Sequence, residues 1–226
     1  MAPIGILLAL ALAQQTQAGG AVTVTNKGIS LIPALTLGKP AAIFDVAITN
    51  GAFGFEPQFR FGLDGKPWSF IFWGRYRPLR TGRLRLTIGA HPSFTFRTVN
   101  DAIVTRRYLA GDVFPSYFLT THLSVGPYYF YAHGLDPAAF QHTHFAGARA
   151  YLTNVAVPGQ FVLHFAPQLY YLWMDREDGV YVTSVLTLGH RKLPFAVSTL
   201  VNSPIRSSIA GGQEFLWNLS LTYAMR

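Results

Sequence analysis

Of the 18 basic residues in this 226-residue chain, 14 are arginine, set against 10 Asp and Glu for a net charge of +8. The arginines recur at alternate positions: Arg75 and Arg77 in WGRYR, then Arg83, Arg85 and Arg97 in RLRLTIGAHPSFTFR (83–97). Arg60 stands in EPQFRF, and Arg106 and Arg149 follow in later apolar stretches. A guanidinium presents a planar fork of donors that matches carboxylate and phosphate oxygens. A surface carrying these eight arginines, with only Glu56, Asp112 and Asp45 as partners, would therefore favour anions. His91 falls among the same arginines and is expected to be a hydrogen-bonded structural histidine. A second polar set, His133, Asp136, His142 and His144, flanks one loop, and Asp175, Glu177 and Asp178 crowd the next. Side chains of these types can hold a divalent cation or activate water. The first set supplies weak metal candidates; neither set matches a hydrolase motif, so no catalytic residue is assigned and no cofactor is expected. Charges are sparse and no loop is strongly basic, which sets nucleic acid aside as a partner. Without cysteine, neither a disulfide framework nor a thiolate metal site can form.

The elements that must position these groups are strands. In 83–97 the even positions are Leu84, Leu86, Ile88, Ala90, Pro92, Phe94 and Phe96, while the odd ones carry arginine, histidine, glycine and hydroxyls. Successive side chains of a strand point to opposite faces, so one face is apolar along its whole length. A strand crossing a bilayer at a tilt needs about nine to eleven residues, and this one is long enough. The chain is 50% hydrophobic and 15% aromatic without a run that reads as a membrane helix, so its hydropathy is spread as alternation spreads it. Sheet edges cannot be left open in lipid, which leaves a closed barrel with its apolar face to the membrane and its polar face to a lumen.

The reading along the chain is an all-β, antiparallel, up-and-down transmembrane barrel of about 12 strands with short turns. Residues 1–13 read as a signal peptide, with an apolar run from Ile4 and an Ala11-Leu12-Ala13 cleavage pattern. Residues 14–28 read as a polar, Gly-rich lead, and 29–226 as the barrel. Expected strands run from Ile29 to Leu37, Ala42 to Thr49, Phe55 to Leu63, Trp68 to Arg77, Arg83 to Arg97 and Arg106 to Leu119. Six more run from Leu123 to His133, Thr143 to Thr153, Phe161 to Met174, Val180 to Gly189, Leu193 to Asn202 and Phe215 to Met225. The longer connections, at Thr98 to Ile103, Gly134 to Gln141 and Ser203 to Gly212, all fall at one end, which marks it as extracellular. A proline recurs inside IPALTL (32–37), EPQFRF (56–61), HPSFTF (91–96), FPSYFL (114–119) and APQLYY (166–171), and each is expected at a bulge that helps a small barrel curve.

With these residues in place, the chain resembles outer-membrane β-barrel proteins of Gram-negative bacteria. More narrowly, GKPWSFIFWGRYR (65–77), IGAHPSFTFR (88–97) and RRYLAGDVFPSYFL (106–119) resemble small uncharacterised Bacteroidetes-type barrels. The resemblance implies a bacterial outer-membrane location and no known activity. Its implied partners are outer-membrane lipids, lipopolysaccharide and the barrel assembly machinery, whose signals FLWNLSLTYAM is similar to. In its arginine-rich lumen it is similar to the twelve-stranded porins that pass acidic oligosaccharides. The expected function is a narrow, anion-preferring pore for small anionic solutes, with Arg60, Arg75, Arg77, Arg83, Arg85, His91, Arg97, Arg106, Arg149, Glu56 and Asp112 lining the lumen. The alternatives are a lipid-modifying hydrolase with a site at the outer rim, and a closed structural or binding barrel plugged by side chains such as Tyr108, Phe114 and Tyr170.

Overall fold

The computed structural model describes residues 16–80 and 82–225, and the expected signal segment lies outside them. Twelve strands run in order: β1 (Gln17–Thr25), β2 (Ala41–Asn50), β3 (Phe53–Gly62), β4 (Pro67–Leu79), β5 (Leu84–Val99), β6 (Ala102–Phe118), β7 (Leu123–Gly134), β8 (His142–Val157), β9 (Phe161–Met174), β10 (Glu177–His190), β11 (Phe195–Ser207) and β12 (Leu216–Met225). Each pairs antiparallel with its chain neighbour, and β1 pairs with β12 from Gly20 opposite Met225 to Thr25 opposite Ser220, closing the barrel. Closure leaves no unpaired edge, the condition for a sheet in lipid.

The alternation seen in the sequence is the alternation of the faces. Along β5, Gly89, His91 and Ser93 are buried inside while Ile88, Ala90 and Pro92 are exposed outside. Along β4, Ser69, Ile71 and Trp73 are buried, and Gly74 and Tyr76 are exposed. Large apolar side chains stand on the outer surface all round, among them Phe53, Leu109 (55% exposed), Leu169 (50%), Val182 and Leu221. In water such a surface would be prohibitive at about 25 cal/mol per Å²; in a bilayer it is the surface the lipid chains cover.

Four expectations are corrected. Gln17–Thr25, expected as part of a polar lead, is the strand that closes the barrel, and Ile29 to Leu37, expected as the first strand, is a loop folded into the lumen. Its apolar composition fits a buried site in the lumen as well as it fits a strand. Thr98 to Ile103 is not an open loop: β5 and β6 pair through Val99 and Ala102, joined by Asn100 and Asp101 with φ of 48° and 62°. Both central residues in the left-handed region make the tight hairpin turn that asparagine and aspartate tolerate. The bulges are also elsewhere, near Arg60, Tyr76, Leu152 and Val180. Pro57, Pro92, Pro115 and Pro167 instead sit where one of the two flanking ladders skips two or three residue pairs without changing register. A proline has no N–H to donate, so the ladder opens beside it and then resumes. Pro33 of the fifth motif lies in the lumen loop.

The two ends differ. At one end the connections include residues 26–40, 135–141 and 208–215, and at the other none of the turns between strands exceeds four residues. The 26–40 loop is a compact hairpin held by its own bonds, Ser30 N to Leu35 O at 2.9 Å, Leu37 N to Gly28 O at 2.8 Å and Thr36 Oγ1 to Lys27 O at 2.7 Å. It places Ile32 and Ala34 against Ile71, Trp73, Phe130, Tyr170, Leu172 and Tyr181, and Ile209 from the last long loop joins the same buried cluster. Tyr170 stacks between Phe145 and Tyr181 at 4.6 and 4.9 Å, and donates its hydroxyl to Asn202 Oδ1 at 2.8 Å.

Candidate functional site

The lumen beneath the folded-in loop is lined unequally. Strands β2 to β8 supply the charged groups and, with Tyr170 of β9 and Tyr181 of β10, the aromatic ones, whereas β1, β11, β12 and the far half of β10 supply mostly small or hydroxyl side chains, such as Ala21, Thr23, Thr187, Ser198, Ser220 and Thr222. Two cavities flank the middle. One, of about 430 Å³, is bordered by Gly19, Ala47, Asp45, Glu56 and Arg75; the other, of about 390 Å³, by Arg149, Tyr151, Gln168, Thr183 and Thr187. Leu31 and Pro33 of the loop border one cavity each, so the loop forms the roof of both.

The charged wall is a connected network. Arg75 Nη1 donates to Asp112 Oδ1 at 2.6 Å while its Nε lies 3.4 Å from Glu56 Oε2, and Arg77 Nη2 donates to the other oxygen of Glu56. The Tyr128 hydroxyl donates to the remaining Asp112 oxygen at 3.3 Å. Below this, the Arg75 guanidinium lies 3.5 Å from the Trp73 ring centre, and Arg149 lies 3.1 Å from Phe114 and 4.6 Å from Tyr128. Cations over aromatic faces are held by the ring quadrupole and keep an orientation without a carboxylate. Gly89 and Gly54 make room: a side chain at 89 would fill the space of the Arg75–Asp112 pair and the Trp73 ring, and one at 54 would meet Arg77 and Glu56. Nearer the long-loop end, buried Arg60 donates to Ile29 O at 3.3 Å and Gln58 Oε1 at 3.0 Å, while Gln58 Nε2 donates to Asp45 Oδ1 at 2.6 Å.

Thus Arg60, Arg75, Arg77, Arg106, Arg149, Glu56, Asp112 and Asp45 face inward. Arg83 and Arg85 are exposed at the short-turn mouth, where Arg85 rests 4.2 Å from the Phe118 ring, and Arg97 borders the opposite mouth. Arg75, Arg77, Arg83 and Arg85 do not gather into one group: the first two pair with Glu56 and Asp112 inside the barrel, and the other two stand at its mouth. His91 also departs from expectation: it is 2% exposed, wedged 4.0 Å from Trp73 and 6.1 Å from Phe130, and among the described residues neither ring nitrogen has a hydrogen-bond partner.

The rim residues are spent on structure. His142 and His144 alternate with inward Thr143 and Phe145 and so stand on the outer surface, bonding Tyr131 and Tyr129 hydroxyls at 2.8 and 2.7 Å beside Trp173. His133 Nδ1 bonds Gln141 O at 2.8 Å. Asp136 accepts from Arg107, whose guanidinium holds this carboxyl below the usual range. Asp175 accepts the backbone N–H of Gln141 and His142 at 3.1 and 2.8 Å, and Asp178 pairs with Arg206. Among the described residues no group of three such side chains converges on a metal position. The rings of Tyr129, Tyr131, His144 and Trp173 form part of an aromatic girdle, the arrangement that anchors barrels at the membrane interface. Gly54, Gly89 and the lumen loop were the functional features that residue types alone did not disclose; a glycine on the same strand parity as the inward charged residues is the signal that could have found the first two.

No protein-family profile matches the chain, and no curated protein matches it in sequence. Solved structures do match in fold. A KdgM porin aligns over 93% of this chain and all of its own, with a TM-score of 0.55 and 10% identity. A COG4313 outer membrane channel from Pseudomonas putida F1 aligns over 92% of this chain and 94% of its own (TM-score 0.53, 11% identity). A NanC porin aligns over 91% and 97% (TM-score 0.51, 13% identity). The likeness is one of fold, and each alignment runs along nearly the whole of this closed antiparallel barrel.

Proposed function

We propose that the protein is an outer-membrane channel that prefers small anions, narrowed by its own 26–40 loop. The observation that carries this is the placement of charge. Of the ten carboxylates, Asp45, Glu56 and Asp112 face inward and the other seven lie at or beside the long-loop end. The short-turn end carries Arg80, Arg83, Arg85, Arg191 and Lys192 and no carboxylate. An anion moving inward therefore passes a long-loop mouth where the acids are balanced by basic groups such as Arg97, Lys39 and Lys66, then five inward arginines against three acids, then a wholly basic rim. Low-dielectric walls focus such a field onto the solute path. The hydroxyl-lined wall opposite offers a path for water and solute alongside the network. Location in the bacterial outer membrane is supported by the closed barrel, its apolar exterior and the named neighbours of the same fold. The long-loop end is then extracellular, and outer-membrane lipids, lipopolysaccharide and the barrel assembly machinery are the protein's partners. Kinship with small Bacteroidetes-type barrels is part of the proposal and rests on the segments 65–77, 88–97 and 106–119.

A closed barrel is the second reading, favoured by burial of Ile32, Ala34 and Ile209 in the lumen. Liposome swelling separates the two. Proteoliposomes in isosmotic potassium chloride should swell faster with a potassium carrier added, when chloride must pass the barrel, than with a chloride carrier added, when potassium must; swelling with neither supports the closed barrel.

A further inference from the structure

We infer that the cavity between the 26–40 loop and the β4–β8 wall binds a small monocarboxylate with a compact apolar body. The inference deepens the channel reading, on which it rests for the route by which the ligand arrives. The cavity holds about 190 Å³ on the long-loop side of Trp73. Much of its lining is apolar, with Ile32 from the loop facing Ile71, Phe130 and Met174. An apolar cavity of about 150 Å³ accommodates a benzene ring, so this one takes a six-membered ring or a branched chain with a carboxylate attached.

The polar groups define the charge of the ligand. Arg106 is the one formally charged side chain on the lining; it forms no ion pair among the described residues, and its Nε is buried without a partner. A buried donor left unmade is costly, and a guanidinium can only donate. His91, almost fully buried, borders the same space with both nitrogens unpartnered, and a neutral imidazole brings one donor. Ser30, Ser69, Ser93, Thr95, Tyr108 and Thr143 add hydroxyls. One cation and these neutral groups beside the apolar part of the wall fit one negative charge on an apolar body, the usual make-up of a small-molecule site. They do not fit a phosphate dianion, which would need a second cation. Entry is from the extracellular mouth, a space of about 710 Å³ bearing Lys39, Lys66 and Arg97; Leu35, Thr95 and Phe140 border both spaces and form the neck.

The test is isothermal titration of the full-length barrel in detergent micelles with benzoate, its neutral isostere benzamide, and sulfate. Benzoate should bind one per barrel, benzamide at least about tenfold more weakly, and sulfate not at all. Arg106→Gln should weaken benzoate at least about tenfold and leave benzamide unchanged. Leu35→Trp, which narrows the neck and replaces no polar group, should weaken both and serves if the arginine variant does not fold. Equal binding of benzoate and benzamide, no benzoate binding, or benzoate affinity unchanged in Arg106→Gln would overturn the site. Ion selectivity measured on the same preparation keeps the two readings apart. Lost binding with retained anion preference removes this site alone, and retained binding with cation preference removes the channel reading alone.

Discussion

Arg75 is the residue on which the lumen wall turns, because it touches both inward acids of the network and the Trp73 face at once. Arg75→Gln should destabilise the barrel by about 3 kcal/mol, since breaking a largely buried pair leaves a carboxylate without compensation. The double variant with Asp112→Asn should recover part of that loss, read from urea unfolding in lipid vesicles as a double-mutant cycle. A loss in the double variant equal to the sum of the Arg75→Gln and Asp112→Asn losses would show that the pair is incidental. Outside the membrane span, the Arg107–Asp136 contact should release in acid. The Asp136 carboxyl is held below its unfolded value of about 3.9, so its contribution is present above that pH and is lost as pH falls through the lower folded value. Protection factors of the amides in residues 135–141, with the intrinsic pH dependence of exchange divided out, should therefore fall between pH 6 and pH 2, and Asp136→Asn should show the low protection at both; protection in the variant that still depends on this titration would contradict the assignment. At this scale the sequence disclosed which face each arginine takes, because side-chain direction has a period of two. It did not disclose partners. Glu56 meets Arg75 and Arg77 across one ladder, but Asp112 reaches Arg75 only across β5, over the gap left by Gly89.

At the scale of elements, the outer face and the lumen loop make opposite demands on apolar residues, and each can be probed. Leu169 is half-exposed near the middle of β9, opposite Val182 and Ala148. Leu169→Arg should cost about 2 to 4 kcal/mol as a charge on the lipid face near the midplane, whereas Ser198→Arg on the hydroxyl wall should be tolerated. Similar losses would mean that the faces are misassigned. Replacing Ser30 to Thr36 by a glycine-serine linker of equal length should leave the twelve strands intact and raise single-channel conductance severalfold; unchanged conductance would show that the loop is not the constriction. Eleven strands were legible from alternation and turn residues. The exchange between Gln17–Thr25 and Ile29 to Leu37 was not, for a physical reason. β1 carries Gly19 and Gly20, which weaken a strand taken alone, and is held by ladders on both sides from Ala41–Asn50 and Leu216–Met225. The loop reads as a strand because burial in the lumen selects the same apolar residues that burial in a sheet selects.

Taken whole, the molecule is a cylinder whose exterior is apolar, whose long-loop end balances acids with bases, and whose short-turn end is basic alone. Its apolar exterior requires detergent or lipid for solubility, and the closed ladder should make the folded protein run faster than the boiled one in gel electrophoresis; a detergent-free soluble monomer would be incompatible with this surface. Barrel closure and end-to-end polarity were legible in strand count and loop length, while the solute path depends on side chains that meet only once the barrel has closed. The most direct measurement is the reversal potential of the protein in planar bilayers under a tenfold potassium chloride gradient, for the natural sequence and for Arg83→Gln/Arg85→Gln/Arg97→Gln. These three exposed arginines lie outside the paired network, so their loss should not unfold the barrel. The account predicts a reversal potential on the chloride side of zero, moved toward zero in the triple variant and more strongly at low salt, where screening lengths exceed about 10 Å. A potential on the potassium side, or one that the three substitutions leave unmoved, would contradict it.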